Sequence, residues 1–336
     1  MTDKKTTALA LFSGGLDSTL ACRVVADQNI RVVAVKFVTP FFGYELLENQ
    51  DEYCRKIKQT AGIDVTLRDV TVPYLEMLKN PAHGYGKNFN PCIDCKIFLL
   101  KEARKMMKEV NASFLVTGEV VGQRPMSQRR DTLRIIERDS GCEGLLVRPL
   151  CARNLEPTRA ENDDLIDRHR LLGFSGRNRR PQMELAEKFS ITDYPSPAGG
   201  CILTDPVLSR RIQEYYETRD RIVPEDILLM MVGRQFRLPT GSWLVVGRNH
   251  SDNLKIQNLR QPDDWLLEPI DIPGPSAVLR YSTTMAELET AAGVVVRYSK
   301  KQTIEPKTAA VIARRKNSEM KINVPPLSDS FIRDSF

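Results

Sequence analysis

The stretch ALALFSGGLDSTLACRVV, residues 8–25, places the short sequence SGGLDS between two apolar segments. The run Thr7–Phe12 is continuously apolar, which is typical of a strand buried on both faces of a parallel sheet. Leu16–Asp27 then repeats apolar residues at helical spacing, so a helix is predicted there. Ser13–Ser18 therefore lies where a strand ends and a helix begins, and ligands bind at that edge of parallel α/β sheets.

The residue types of this loop predict an anion site. Gly14 and Gly15 allow a tight turn with exposed backbone N–H groups at a helix N-terminus, and Ser13 and Ser18 add hydroxyl donors. Neither the Gly-Lys-Ser/Thr ending of a Walker A loop nor a Gly-x-Gly-x-x-Gly fingerprint is present. Asp17 would repel phosphates unless a cation lies between them, which predicts Mg²⁺ bridging Asp17 and a polyphosphate. The alternative is a plain strand-to-helix turn with an acidic first helical turn.

Strands and helices alternate through the rest of the N-terminal half. The pattern predicts further strands at Arg31–Val38, Asp64–Val70 and Ser113–Gly118, with helices at Glu45–Gly62 and Cys92–Val110. This order predicts an α/β fold with a doubly wound parallel sheet and right-handed crossovers.

The alternation changes near Asp205. Helices are predicted at Pro206–Arg221 and Pro224–Met231, and residues 234–256 are predicted as a turn, a strand and a capped helix. We therefore expect three parts: a nucleotide-binding domain with the cysteine site at 1–205, a linker helix at 206–224, and a second, smaller α+β domain at 225–325.

Composition bounds the class of protein. The chain has 336 residues, 41% of them hydrophobic, and a formal net charge of +6. No apolar run reaches the length of a membrane span, and the N-terminal MTDKKTT lacks a signal-peptide core, so we expect a cytoplasmic protein without a membrane partner. The arginine clusters at 122–130, 167–170 and 176–181 suit either RNA contact or a solvated face.

Three of the seven cysteines stand apart. Cys92 and Cys95, in NPCIDCK, can chelate one centre from a helix start, where the helix N-terminus favours thiolate. Cys201 follows two glycines in PSPAGGCILTDP. A closed zinc site lacks a fourth ligand, because there is no second Cys-x-x-Cys and no histidine has metal-ligand spacing. A metal or iron–sulfur site, a redox pair that carries a persulfide, and coincidence all remain open.

The SGGLDS loop after a buried strand resembles that of the PP-loop ATP pyrophosphatases, a HUP-like family that cleaves ATP between its α and β phosphates. The resemblance implies that the diphosphate part of ATP is bound by Ser13, Gly14, Gly15, Asp17 and Ser18. It also implies an adenine pocket lined by Ala34, Val35, Lys36 and Phe37. The segment TGEVVGQ, residues 117–123, is similar to one in the 4-thiouridine synthases of tRNA, which implies that Gly118 lies near the nucleotide.

Two further resemblances concern the substrate. The cysteine pattern resembles that of tRNA thiolases with a Cys-x-x-Cys and one distant cysteine, which implies a [4Fe–4S] cluster with an open iron on Cys92, Cys95 and Cys201. The segment LPTGSWLVVGRN, residues 238–249, resembles the RNA-binding module of the NFACT proteins. Together they imply an ATP-dependent tRNA-uridine sulfurtransferase, of 2-thio or 4-thio type, with Asp17 and the three cysteines as catalytic residues. The sulfur donor is expected to be a cysteine desulfurase or free sulfide.

Two rival functions stay open. The first is an AMP-forming PP-loop ligase or amidotransferase that acts on a small molecule, although no glutaminase domain is visible and the cysteines would lack a purpose. The second is a non-catalytic RNA-binding factor in which the nucleotide only regulates. ATP–pyrophosphate exchange in the presence of tRNA separates the non-catalytic factor from either enzyme.

Overall fold

The computed structural model describes residues 6–196, 199–219, 222–239, 241–300 and 308–328. The chain divides into two compact units, Met1–Thr218 and Arg219–Phe336. No helix among the described residues is both long enough and apolar enough to cross a membrane.

The first unit is built on a five-stranded parallel sheet with the order β3-β2-β1-β4-β5. Its strands are β1 (Thr7–Leu11), β2 (Arg31–Val38), β3 (Asp64–Asp69), β4 (Phe114–Thr117) and β5 (Leu146–Val147). Ala10 of the central strand lies opposite Ala34 on one side and Val116 on the other. The strand order reverses between β1 and β4, so the carboxyl ends of these two strands flank the position where such sheets bind ligands.

Helices cover both faces of this sheet. They are α1 (Leu16–Ala26), α2 (Gln50–Ala61), α3 (Thr71–Lys79), α4 (Cys92–Met106), α5 (Arg130–Ser140), α6 (Arg159–Asn162), α7 (Arg180–Lys188) and α8 (Pro206–Thr218). Because side chains alternate along a strand, β1 serves two cores. Ala8 and Ala10 pack with Leu20 of α1, whereas Leu9 packs with Leu100 of α4 and Ile136 of α5.

The doubly wound fold predicted from the sequence is confirmed, with differences at element ends. The predicted helix 45–62 consists of a single 3₁₀ turn, Tyr44–Leu47, followed by α2, which ends at Gly62 in a left-handed conformation. Helices α3 and α5 and the short strand β5 were not predicted.

The predicted linker helix needs a correction. Helix α8 ends at Thr218, and residues 220 and 221 of the predicted helix lie outside the described residues. The helix belongs to the first unit, because the Tyr216 hydroxyl donates a hydrogen bond to the Leu75 carbonyl at 2.9 Å. Ser209 of α8 likewise accepts a bond from the Phe89 backbone.

The second unit has a six-stranded antiparallel sheet with the order β11-β10-β8-β9-β7-β6. The strands are β6 (Arg234–Arg237), β7 (Trp243–Val246), β8 (Trp265–Pro269), β9 (Ala277–Arg280), β10 (Ala309–Arg315) and β11 (Ser318–Val324). The helices are α9 (Pro224–Met230), α10 (His250–Leu259) and α11 (Met285–Arg297). This confirms a second, α+β domain, although residues 234–256, predicted as a turn, a strand and a capped helix, contain an additional strand, β6.

Helix ends in the second unit follow the sequence signals for capping. The Asn249 side chain accepts a hydrogen bond from the Asp252 backbone at 2.9 Å and begins α10. Thr284 and Glu287 form a reciprocal capping box at the start of α11. Such caps satisfy backbone N–H groups that a helix leaves unpaired, so each helix begins directly after its capping residue.

Candidate functional site

The glycine-rich loop between β1 and α1 is held by its own hydrogen bonds. The Ser18 hydroxyl donates to the Gly15 carbonyl at 2.8 Å, and the Ser13 and Ser18 hydroxyl oxygens lie 3.1 Å apart. Gly14 has a φ of +86°, where any other residue would be strained. No side chain caps α1, whose N-cap is Gly15. The helix start is thus arranged to offer its free N–H groups to an anion.

Asp17 carries an oxygen that no described residue satisfies. Its Oδ2 accepts a hydrogen bond from Gln123 Nε2 at 2.9 Å, while its buried Oδ1 has no hydrogen-bond partner among the described residues. The buried Oε1 of Gln123 is in the same situation. Unpaired carboxylate and amide oxygens are the ligand types that Mg²⁺ takes, so this pair fits the predicted cation. The role of Gln123 was missed, although it closes the quoted segment TGEVVGQ.

Gly118 follows β4 and lies against the start of α1. A Cβ added at Gly118 would meet the backbone carbonyl carbon and oxygen of Asp17 at 2.5 Å and the Ser18 nitrogen at 2.6 Å. Only glycine allows this approach of two backbones. The residue is therefore needed to hold the strand end against the loop, and its contact with a nucleotide stays a prediction.

The predicted adenine-pocket residues of β2 divide into two groups. Val35 and Phe37 are buried in the core formed with α4 and α5, so their side chains are committed to packing. The Lys36 side chain instead reaches the loop, where its Nζ donates to the Ser13 carbonyl and lies 5.7 Å from the Tyr53 ring centroid. Burial lowers the pKa of Lys36, and the nearby Glu45 carboxylate opposes that change. Lys36 and Tyr53 thus stand beside the loop, and the contact of Val35, Lys36 and Phe37 with an adenine stays a prediction.

The three predicted cysteines come into one neighbourhood around Tyr74. Cys92 and Cys201 both raise the pKa of Cys95, and Cys92 raises that of Cys201, so the thiols lie within electrostatic range of one another. The Tyr74 hydroxyl is hydrogen-bonded to Cys95. Its ring is 1% exposed and contacts three other aromatic rings, those of Phe41, Phe42 and Phe98.

The expectation that the helix start favours thiolate is wrong for Cys95. Burial raises the pKa of Cys95 to about 11, and it outweighs the lowering by the Tyr74 hydrogen bond and by the Lys96 charge. All seven cysteines are free thiols, and Cys22, Cys142 and Cys151 are buried. Among the described residues, no group of three or more His, Cys, Asp or Glu side chains is arranged to hold a metal ion. The thiols are neighbours, therefore, without forming a preset chelate.

The segment between Cys92 and Cys95 is fixed by His83, a residue that the sequence did not single out. Asp94 accepts hydrogen bonds from the His83 backbone N–H at 2.9 Å and pairs with its Nδ1 at 3.1 Å. The Nε2 of His83 pairs with Asp139 of α5 at 3.0 Å. This clamp ties the start of α4 to the end of α5.

A buried ion network connects the cysteine helix α4 to the segment that directly follows β4. Glu119, 3% exposed, accepts a hydrogen bond from Arg148 Nε at 2.9 Å, and its Oε1 lies 3.4 Å from Lys96 Nζ. Burial alone would raise the pKa of Glu119, but Lys96 and Arg148 outweigh it and lower the pKa to about 2. Lys96 directly follows Cys95, so the network runs from the cysteines to the loop side of the sheet.

The arginine clusters differ in whether their side chains bond within the protein or face solvent. Arg168 donates to Glu161 and to the carbonyls of Ala152 and Leu155, and Arg170 pairs with Asp27 at 2.6 Å. The 167–170 cluster is therefore committed to internal bonds. Arg130, in the 122–130 cluster, is exposed at the start of α5.

Each of the two units matches a known family model. Residues 4–157 match the family model described as thiamine biosynthesis protein (ThiI), and residues 233–336 match the one described as NFACT protein RNA binding domain. These matches confirm the resemblance to PP-loop enzymes of the thiouridine-synthase type and to the NFACT module.

Two curated relatives are named as probable tRNA sulfurtransferases. The one from Thermococcus kodakarensis is 27% identical over 44% of this chain and 38% of its own length. The one from Methanothermobacter thermautotrophicus is 31% identical over 34% of this chain and 29% of its own length. The chain thus spans about a third of the relatives it matches. A solved 4-thiouridine synthetase–RNA complex with bound ATP aligns with a TM-score of 0.40 and 20% identity, covering 63% of this chain and 50% of that one.

Proposed function

We propose that this chain is an ATP-dependent tRNA-uridine sulfurtransferase that forms AMP and diphosphate. The observation that carries the proposal is the continuity of the first unit's site. Lys96, beside Cys95, pairs with Glu119, and the adjacent Gly118 packs on Asp17 in the glycine-rich loop. These contacts support a single site that combines a loop suited to a polyphosphate with cysteines suited to sulfur chemistry. The relatives named as tRNA sulfurtransferases support the same assignment.

The proposed reaction has two displacements. A uridine carbonyl oxygen attacks the α-phosphorus of ATP and diphosphate leaves, which converts that oxygen into part of a good leaving group. Sulfide then adds to the activated carbon, and AMP departs with the original oxygen. The backbone N–H groups of the loop would hold the diphosphate part, and Asp17 with Gln123 would hold Mg²⁺. The protein's contribution is to align the three reactants.

A [4Fe–4S] cluster would be held by Cys92, Cys95 and Cys201. The chemistry of the donor set fits, because the three thiols are neighbours and thiolates are the ligands of iron–sulfur clusters, although the side chains are not arranged as a chelate. When bound, such a cluster would supply a Lewis-acidic open iron for sulfide. The Tyr74 hydroxyl would donate to the Cys95 sulfur, and the rings around Tyr74 would keep water away.

The other route keeps the same cysteines. A persulfide on Cys201 would deliver its outer sulfur, and Cys92 or Cys95 would release it by forming a disulfide. The persulfide route would take its outer sulfur from a cysteine desulfurase, which donates sulfur already at the persulfide level. Free sulfide is proposed only as a donor for the cluster route, because a thiol and sulfide give a persulfide only with an oxidant. The reaction is proposed to take place in the cytoplasm. The second unit would hold the tRNA, as its match to an RNA-binding domain supports.

Asp17→Asn tests the adenylation site. The variant should lower tRNA-dependent ATP–pyrophosphate exchange and thionucleoside formation by about 100-fold or more, because the cation loses a charged ligand. Asp27→Asn, at the other end of α1, is the matched control and should keep activity. If nucleoside mass spectrometry showed that the Asp17 variant forms thionucleoside as fast as the wild type, Asp17 would not belong to the adenylation site. Exchange that does not need tRNA would favour the small-molecule ligase.

Anaerobic purification tests the cluster. The wild-type protein should contain about four irons per chain. Replacement of Cys92, Cys95 or Cys201 by Ala should each remove the iron and its visible absorption, whereas Cys22→Ala and Cys54→Ala should retain both. An iron-free wild-type protein that still thiolates tRNA would establish the persulfide route instead.

A further inference from the structure

Tyr281 has a backbone conformation that its residue type disfavours. It directly follows β9 with a φ of +63°. The other non-glycine residues with positive φ in the described part of the chain are Asn29, Asn88, Asn111, Asp164, Ser190 and Lys316, so Tyr281 is the one aromatic among them. A bulky residue at positive φ is an outlier, and such strain persists where the surrounding structure or a function requires it.

The Tyr281 ring is exposed but rigidly held. The side chain is 41% exposed, while its hydroxyl donates to the carboxylate of Asp226, which is 1% exposed. Asp226 in turn accepts a bond from the buried Arg280, which also binds Asp264 at 2.7 Å. Burial and the bond to Asp226 raise the pKa of Tyr281 to about 12, so the hydroxyl stays a donor at neutral pH. The tip of the ring is thus anchored to a buried ion network.

A cation lies on the same ring. The guanidinium carbon of Arg219 is 3.9 Å from the centroid of the Tyr281 ring. Core packing does not account for this arrangement, because the ring is exposed and Asn or Gly would adopt the backbone conformation with less strain. An aromatic ring that is exposed, fixed at its tip and paired with arginine has the features on which unpaired nucleobases stack.

We propose that Tyr281, with Arg219, is a stacking platform for an unpaired base of RNA. The inference rests on the proposed role of the second unit in holding tRNA, and it assigns to that role one residue and one kind of contact. Stacking uses the π face that all four bases share, so the platform would grip a loop or an unpaired end without selecting its sequence.

The test compares Tyr281→Phe with Tyr281→Leu in the full chain. Both variants lose the hydroxyl bond to Asp226 and both keep a side chain at positive φ, so they differ in the flat aromatic ring. Affinity for a tRNA transcript and for a single-stranded RNA containing 2-aminopurine is measured at several salt concentrations. The Phe variant should bind within about twofold of wild type, and the Leu variant should bind about 5- to 100-fold more weakly with an unchanged salt slope, since no phosphate contact is lost.

The possible results distinguish failure of the stacking platform from failure of the proposed role of the second unit. Quenching of 2-aminopurine should persist in the Phe variant and disappear in the Leu variant. If Leu fails to fold, Tyr281→Asn replaces it, because Asn tolerates positive φ and carries no ring. Equal affinity of the Phe variant and the ring-free variant overturns the platform. A wild-type chain that binds neither RNA overturns the proposed role of the second unit itself, and with it the platform.

Discussion

The two units differ in how completely their buried polar groups are paired. Within the described residues, eleven buried side-chain oxygen or nitrogen atoms have no hydrogen-bond partner, and ten of these belong to the first unit. Of the described part of the second unit, only the Ser242 hydroxyl is among these atoms. The first unit is less than twice as long as the second, Met1–Thr218 against Arg219–Phe336, so length does not explain the contrast.

Among the ten atoms of the first unit, three without any partner in the described part of the chain belong to residues at or next to the candidate site. They are Asp17 Oδ1, Gln123 Oε1 and Nη2 of Arg148, which binds Glu119. Glu119 Oε1 also lacks a hydrogen bond, but it is ion-paired with Lys96 Nζ at 3.4 Å. The buried charges of the second unit are paired instead, with Arg280 between Asp226 and Asp264. Unpaired buried groups cost stability unless a ligand satisfies them, so the contrast separates a unit organised for binding and chemistry from one whose polar core is structural.

Breaking the paired network of the second unit should have the largest effect on stability. Arg280→Met leaves Asp226 and Asp264 buried without their cation, which should cost about 3–5 kcal/mol of the free energy of unfolding. Chemical denaturation measures this loss, and ATP affinity is the control because the glycine-rich loop proposed to bind ATP lies in the first unit. Unchanged stability would show that the network contributes little, and a joint loss of ATP binding would show that the units do not behave separately.

Breaking the buried ion network of the first unit should reduce stability less than Arg280→Met does, but it should reduce activity more. Glu119→Gln keeps the shape of the side chain but removes the charge that faces Arg148 and Lys96, and we expect a loss of about 2–3 kcal/mol. Thiolation should fall more than tRNA binding, since the link from Lys96 to the loop side of the sheet is broken. A variant with reduced stability and wild-type thiolation would make the network purely structural.

The difference in stability between the wild-type protein and Glu119→Gln should depend on pH. The pKa of Glu119 is lowered from 4.5 to about 2 in the folded protein, so its charged form stabilises the fold at every pH above the unfolded value. That contribution is lost as the pH falls from about 4.5 towards 2. The stability difference between wild type and Glu119→Gln should therefore be full at pH 7 and should shrink at pH 3. A difference that is constant over this range would contradict the ionised state of Glu119.

What the sequence predicted well depends on local chemistry. The strand-loop-helix at Ser13–Ser18, strand β2 and the presence of a capped helix within residues 234–256 follow from apolar spacing, glycine conformation and capping, which act over a few residues. The neighbourhood of Cys92, Cys95 and Cys201 was also expected, but from resemblance to a family rather than from spacing.

What the sequence did not predict depends on contacts between distant segments. Tyr74 reaches Cys95 from α3, and His83 reaches Asp139 from 56 residues away. Nothing local in the sequence marks either residue. Local signals also misled, because the helix start suggested an acidic Cys95 thiol, whereas burial by the folded unit raises its pKa to about 11. Burial is a property of the whole fold, and it decided that outcome.

Replacing either of the two loop glycines by alanine should have the smallest effects on stability. The comparison of the two variants tests whether the loop binds ATP. Gly14 has a φ of +86° and an added Cβ would lie 3.0 Å from the Tyr53 hydroxyl, so Gly14→Ala should cost about 1 kcal/mol. At Gly15 the nearest atom to an added Cβ is Ser13 Oγ at 3.5 Å, an ordinary contact, and stability should change by less than about 1 kcal/mol. Gly15→Ala should nevertheless weaken ATP binding about tenfold, because a methyl group obstructs access to the exposed N–H groups. Isothermal titration with ATP and thermal denaturation of both variants check this, and wild-type ATP affinity in a folded Gly15→Ala protein would move the phosphate site away from the loop.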